Sequence, residues 1–126
     1  MLTLPPAVRI HLATQPIDIR KSFDGLSGAV REILSEDPFS GHLFIFRNKR
    51  GDMVKLIWWS RGGFTILYKR LEKGTFHLPK QIDRDVRAVI IDSVELSLML
   101  EGIELQQMRR RPRWNPQARD VISSRA

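Results

Sequence analysis

The sequence predicts an α+β fold, an antiparallel β-meander of three to five strands packed with two main helices. Three apolar runs rich in β-branched and aromatic residues follow one another over residues 43–71. The connections between these runs are short and contain glycine, as β-hairpin loops do. One stretch with apolar residues at helical spacing lies on each side of this region. The 126 residues are enough for one domain with its own core.

The first predicted element is a strand over residues 8–12, which we expect to pair with the later strands. Two prolines precede it, and the turn-like segment 14–16 follows it. A helix should begin after Ser22, a residue type that caps helices, because the apolar residues beyond it recur at intervals of three and four. Pro38 is expected to end this helix.

The meander strands are predicted at residues 43–48, 53–60 and 64–71. Loops of four residues would pair Asn48 with Met53 and Trp59 with Phe64. Because side chains alternate along a strand, this register separates two faces.

One predicted face carries five aromatic rings together with Lys55 and Arg70. The other is an ordinary apolar face, which both helices are expected to cover. The aromatic face has two interpretations, which stay open at this point. It could stack nucleic-acid bases while its cations hold phosphates, or both faces could be buried and the rings could be core.

A fourth short strand is predicted at residues 76–78, and the type of the apolar run 88–91 is undecided. The second helix should begin at Asp92, which forms a capping-box pattern with Glu95. We therefore predict a single α+β domain over residues 1–108. Residues 109–126 are predicted to be a basic, poorly ordered tail.

Charge is the strongest functional signal in the sequence. The chain has 21 Lys and Arg against 14 Asp and Glu, a net charge of +7. Residues 47–73 hold eight basic and two acidic side chains, and residues 109–126 hold six and one. Such blocks attract polyanions, so DNA is the first partner to consider, although basic runs also occur as plain solvated surface. The candidate nucleic-acid-binding residues are Lys49, Arg50, Lys55, Arg61, Lys69, Arg70, Arg109, Arg110, Arg111 and Arg113.

Lys49, Arg50, Arg61, Lys69 and Arg70 are predicted to form one basic surface, because hairpin loops and strand ends gather charges that are dispersed in sequence. Against this stands the alternation of strand side chains. Neighbouring residues such as Lys69 and Arg70 must face opposite sides of the sheet.

Several classes of protein are disfavoured. The absence of cysteine argues against disulfide scaffolds and thiolate chemistry, and no apolar run approaches the length of a membrane span. No secretory signal is visible at the N-terminus, so the cytoplasm is the expected location. The three histidines have no ligand partner at helical spacing, and nucleotide-binding and serine-hydrolase motifs are absent. We therefore expect no catalytic site, no metal and no cofactor, and an enzyme in its own right, such as a nuclease, is the least favoured alternative.

A series of motifs resembles a known family. The segment 68–74 followed by Phe76 is the most specific part, and the resemblance runs from about residue 8 to residue 105. The family is TnpB, the accessory proteins encoded by the second open reading frame of insertion-sequence-sixty-six elements. The motifs include Pro16-Ile17-Asp18-Ile19-Arg20-Lys21, Phe23-Asp24-Gly25-Leu26, Asp37-Pro38-Phe39-Ser40-Gly41-His42-Leu43-Phe44 and Tyr68-Lys69-Arg70-Leu71-Glu72-Lys73-Gly74.

The resemblance implies a bacterial mobile element in which a larger protein carries the transposase chemistry and this chain assists. It supplies no catalytic residues. The first hypothesis is a DNA-binding accessory factor acting on element ends or non-specifically. The second is a protein-interaction module that docks on the transposase without touching DNA. The transposase and the other accessory protein of the element are expected partners, a membrane is not, and a homo-oligomer is compatible with either hypothesis.

Overall fold

The structure, a computed structural model, describes residues 7–78 and 85–101. Within these residues one five-stranded sheet is packed with two helices, which confirms the α+β class. The elements are β1 (Ile10–Ala13), α1 (Phe23–Glu32), β2 (Leu43–Arg47), β3 (Met53–Ser60), β4 (Gly63–Arg70), β5 (Ala88–Ile91) and α2 (Ser93–Leu100). The strand order across the sheet is β4-β3-β2-β1-β5.

The predicted meander is present as β2, β3 and β4, which pair antiparallel. Its register is the predicted one, since Trp59 lies opposite Phe64 and the Asn48 amide donates to the Met53 carbonyl at 3.0 Å. The sheet as a whole is mixed, however, because β1 runs parallel to β2 and antiparallel to β5. A purely antiparallel sheet was therefore the wrong expectation. The connection through α1 returns the chain to the end of the sheet where β1 began, so β2 runs in the same direction.

The two helices cover opposite faces of the sheet, not the same one. α1 packs Leu26 and Val30 on the aromatic face, where Phe44 and Phe46 are completely buried. α2 packs on the other face through Leu96 and Met99. All four residues of β1 and the first four of β2 are buried, so these central strands need cover on both sides. The two phenylalanines of β2 are therefore core, and the base-stacking interpretation fails for them.

The helix ends depend on local chemistry. Ser22 occupies the N-cap position of α1, but its hydroxyl makes no capping bond to the described first turn. The helix ends at Glu32, and Ser35 then turns the chain with a φ of 55°, before Pro38 is reached. At α2 the predicted capping box is confirmed. The Asp92 carboxylate accepts from the Glu95 amide at 2.7 Å, and the Asp92 amide donates to the Glu95 carboxylate at 3.0 Å.

The segment after β4 differs from the prediction. Residues 76–78 form no strand, and the Phe76 amide instead donates to the Gly51 carbonyl at 2.7 Å while its ring enters the core. The undecided run 88–91 is the edge strand β5. The predicted tail, 109–126, lies outside the described residues. Neither of the two described helices has the length and apolar character that crossing a bilayer would require.

Candidate nucleic-acid interface

The meander has two ends that carry different residues. β3 and β4 pair along their full length, from Met53 opposite Arg70 to Ser60 opposite Gly63. Eight paired residues at about 3.3 Å each separate these ends by about 25 Å. The loop with Lys49 and Arg50 lies at the Arg70 end, and Arg61 lies in the turn at the far end. The prediction of one basic surface that includes Arg61 is therefore wrong, because successive hairpin turns of a meander lie at opposite ends.

The loop between β2 and β3 is held by one side chain. The Asn48 amide oxygen accepts from the backbone N–H of Gly51 at 2.9 Å and of Met53 at 3.1 Å. Gly51 has a φ of 81°, a conformation that favours glycine. This internal bonding leaves Lys49 and Arg50 exposed at the tip of an ordered loop.

Asp52 shows which cations lie at this end. Its carboxylate accepts a 2.7 Å hydrogen bond from the Asn48 side chain, which lowers the pKa of Asp52. Desolvation opposes that shift, and the nearby charges of Arg50 and Arg70 add to it. Arg50 from the loop and Arg70 from β4 therefore lie near the same carboxylate.

Lys55 joins them on the face covered by α1. The Lys55 ammonium donates to the Lys21 backbone carbonyl at 3.0 Å, which ties the start of α1 to β3. The same ammonium lies 5.1 Å from the ring centroid of Tyr68, a cation–π contact. Tyr68 is 54% exposed and its hydroxyl lies 2.9 Å from the sulfur of Met53. We name this set the basic end, defined as Lys49, Arg50, Lys55 and Arg70.

Sequence reasoning missed the hydrogen bond that Lys55 makes to the backbone carbonyl of Lys21. That bond depends on β3 lying beside the start of α1, and no local pattern reports the contact.

The described acidic groups at this end are each engaged. Asp18 binds Arg20 at 2.9 Å, and this hydrogen bond lowers the pKa of Asp18 to about 2. Glu72 lies 3.6 Å from Arg70, but both side chains are largely exposed, so the pair contributes little and leaves Arg70 accessible. The net charge of the basic end is positive.

Lys69 belongs to a different environment from Arg70. It faces the α2 side of the sheet, and its ammonium donates to the carbonyl of Leu100 at the end of α2. A cation there complements the helix dipole. The prediction that Lys69 and Arg70 face opposite sides of the sheet is confirmed. Lys69 contacts the end of α2 and does not belong to the basic end. Arg109, Arg110, Arg111 and Arg113 lie outside the described residues.

The far end of the meander carries aromatic side chains. Phe39, Trp59 and Phe64 form a cluster with ring centroids 4.9 to 5.2 Å apart. The guanidinium of Arg31 lies 5.9 Å from the Phe39 ring centroid. Phe39 is 48% exposed, so this aromatic cluster presents apolar surface where the other end presents charge.

Two polar side chains reach the interior of the sheet. His11 is buried, stacks on Phe44 with ring centroids 5.0 Å apart, and its Nε2 has no hydrogen-bond partner among the described residues. Burial lowers the pKa of His11. Arg47 donates to the Thr14 carbonyl at 3.0 Å, and burial lowers its pKa.

Across residues 7–78 and 85–101, no group of three His, Asp or Glu side chains could hold a metal ion.

The sequence is similar to proteins of mobile genetic elements. The family described as IS66 Orf2 like protein matches residues 8–110. Two relatives come from Sinorhizobium fredii and are called uncharacterized proteins y4jC and y4hO. The first is 36% identical over 109 residues, which cover 86% of this chain and 91% of the relative. The second is 34% identical over 116 residues, which cover 92% and 96%. No solved structure matches the chain significantly.

Proposed function

The chain belongs to the family of IS66 Orf2 like proteins, which makes it an accessory protein of an insertion sequence, and from that premise we propose that it assists transposition by binding DNA without catalysing a reaction. The basic end is the proposed contact surface. Its cations bind phosphates of the duplex and release counterions, as basic surfaces do in non-specific DNA binding.

One observation carries the proposal, the convergence of cations from separate segments. Lys49 and Arg50 lie in a loop, and Lys55 and Arg70 lie on two strands, yet the antiparallel pairing of β2, β3 and β4 brings them to one end of the sheet. The acidic groups beside them are bonded to Asn48, Arg20 or Arg70. Phosphate contacts of this kind carry no sequence information, so binding should be weak and largely independent of sequence.

Fluorescence anisotropy on a labelled duplex at several salt concentrations tests the proposal. Each phosphate contact contributes about 0.9 to the slope of log affinity against log salt, so Lys49→Gln with Arg50→Gln should reduce the slope by up to about 1.8. Arg9→Gln with Arg31→Gln is the matched control, since both residues lie at the end of the sheet away from the loop of Lys49 and Arg50. It removes the same charge at the far end of the meander and should leave the slope unchanged. Equal losses in both double variants would contradict a localised surface.

The tail is tested separately. Truncation after Met108 removes Arg109, Arg110, Arg111 and Arg113, and the loss of two to four contacts would reduce the slope by about 2 to 4. An unchanged slope would remove the tail from the proposed interface. Circular dichroism of the truncated protein checks that the fold persists.

A second function is favoured by the aromatic cluster of Phe39, Trp59 and Phe64 and by the exposure of Leu67 and Tyr68 on β4. In this alternative the chain docks on the transposase of the element and does not contact DNA. A pull-down of purified proteins with and without nuclease distinguishes the two, since apolar docking resists both nuclease and salt. Absence of DNA binding even at low salt would favour this second function.

A further inference from the structure

Within the part of the chain that the structure describes, the outer side of β4 is an open sheet edge. The Leu71 amide donates to the Asp52 carbonyl at 2.8 Å, so the backbone groups of Leu71 point toward β3. By antiparallel alternation, the backbone groups of Phe64, Ile66, Tyr68 and Arg70 then point away from β3. No strand among residues 7–78 and 85–101 pairs with this side. The strand is eight residues long and contains no proline, and such an edge is a template for pairing with another chain.

We infer that β4 of a second copy of this chain occupies the edge, paired antiparallel about Ile66. β4 carries an aromatic residue two positions to either side of Ile66, Phe64 before it and Tyr68 after it. Pairing Ile66 with itself aligns Phe64 of each copy with Tyr68 of the other. It also directs the outward backbone groups of these residues toward one another. Aromatic pairs placed opposite each other stabilise antiparallel strands, and Tyr68, now 54% exposed, would be covered.

The charges on β4 favour the same arrangement. Lys69 would lie opposite Gly63 of the second copy, where no side chain competes for space. The two Lys69 residues would be about 20 Å apart along the strands, whereas parallel pairing would place them side by side. Arg61 would come level with Leu71 of the second copy, next to Glu72, whose side chain is 86% exposed. Glu72 would then lie between Arg70 of its own copy, 3.6 Å away, and Arg61 of the second copy.

This arrangement would join the sheets of the two copies through their β4 strands into one continuous sheet. It does not depend on DNA binding, because it rests on the edge strand alone.

Analytical ultracentrifugation of the full chain over a range of concentrations tests the inference, with dimer expected to form as concentration rises. Ile66→Pro removes an outward N–H and leaves the ladder to β3 intact, so it should give a monomer with an unchanged circular dichroism spectrum. A wild-type protein that stays monomeric at every concentration would overturn the inference. So would an Ile66→Pro protein that still forms dimers.

Disulfide trapping gives a readout that remains if the proline variant does not fold. The chain contains no cysteine, so Ile66→Cys introduces a single one. The Cα atoms of a hydrogen-bonded antiparallel pair lie about 5.5 Å apart, within the range that a disulfide spans. Ile66→Cys should form a covalent dimer under mild oxidation. Val94→Cys, 54% exposed on α2, is the control and should not. Equal cross-linking of both variants, or none by Ile66→Cys, would overturn the inference.

Discussion

Lys55→Met should destabilise the fold although the side chain lies at the rim of the sheet. The ammonium of Lys55 donates to the Lys21 carbonyl at 3.0 Å and lies 5.1 Å from the Tyr68 ring centroid. Hydrogen bonds from charged donors contribute about 1.5–3 kcal/mol, and exposed cation–π contacts about 0.5–1 kcal/mol. Water competes for both contacts here, so the lower ends of these ranges apply. Methionine retains the aliphatic packing, and we expect a loss of about 2 kcal/mol.

Urea denaturation measures this loss. Trp58 and Trp59 lie on β3 itself, so their fluorescence reports on the strand that carries Lys55. The free-energy change follows from the midpoint if the slope against urea is unchanged. The control is Lys49→Met, at the exposed loop tip, which should stay within about 0.5 kcal/mol of wild type. A double-mutant cycle with Tyr68→Leu should return a coupling of about 0.5–1 kcal/mol, the share of the cation–π contact.

The same two variants separate tethering from DNA binding. Lys49 is exposed and its ammonium can bind a phosphate, whereas the Lys55 ammonium already donates to the Lys21 backbone carbonyl. Lys49→Met should therefore reduce the salt slope of DNA binding by about 0.9, and Lys55→Met by less. If Lys55→Met is as stable as Lys49→Met and reduces the slope equally, then Lys55 is a free surface cation and the tether is refuted.

Two other changes test the packing of the sheet. Asp92→Ala removes one half of the capping box of α2 and should cost about 1 kcal/mol in urea denaturation, while Ser93→Ala, at the next and exposed position, should cost little; equal losses would refute the cap. His11 has a lowered pKa because it is buried, so as pH falls below about 6.5 the unfolded chain takes up a proton that the folded protein does not, and stability declines. His11→Phe should lessen the stability lost between pH 7.5 and 5.5, and an undiminished loss would show that burial of His11 is not its source.

Local patterns predicted the meander well. The glycine-containing loops define the pairing of Trp59 with Phe64, and the capping box places the start of α2 at Asp92. Both features are determined by residues within a few positions of each other. Sequence alone does not decide whether the phenylalanines of β2 are buried or exposed. A strand buried on both faces and a strand with one aromatic surface show the same alternation of side chains.

The errors concern contacts between segments distant in sequence. Nothing near residues 10–13 reports that this strand lies between β2 and β5, or that α1 crosses to the face opposite α2. The Lys55 ammonium meets the Lys21 carbonyl across 34 positions of sequence. The inclusion of Arg61 in one basic surface is wrong for a reason that the sequence contains, since a meander places consecutive turns at opposite ends of the sheet. Charge in the sequence thus predicts which residues are candidates for the site, but not which of them lie together in the fold.

The central position of β1 determines the order in which the protein can be completed during synthesis. β1 emerges from the ribosome before the other four strands, yet one of its two neighbours is β5, at residues 88–91. Until those residues emerge, the nascent chain has an apolar strand with one unpaired side, whereas β2, β3 and β4 can already pair locally. Pairing over long sequence distances is slow and leaves strand edges open to aggregation. β1 is therefore synthesised before its partner β5, and its pairing in the sheet is complete only after residues 88–91 have emerged.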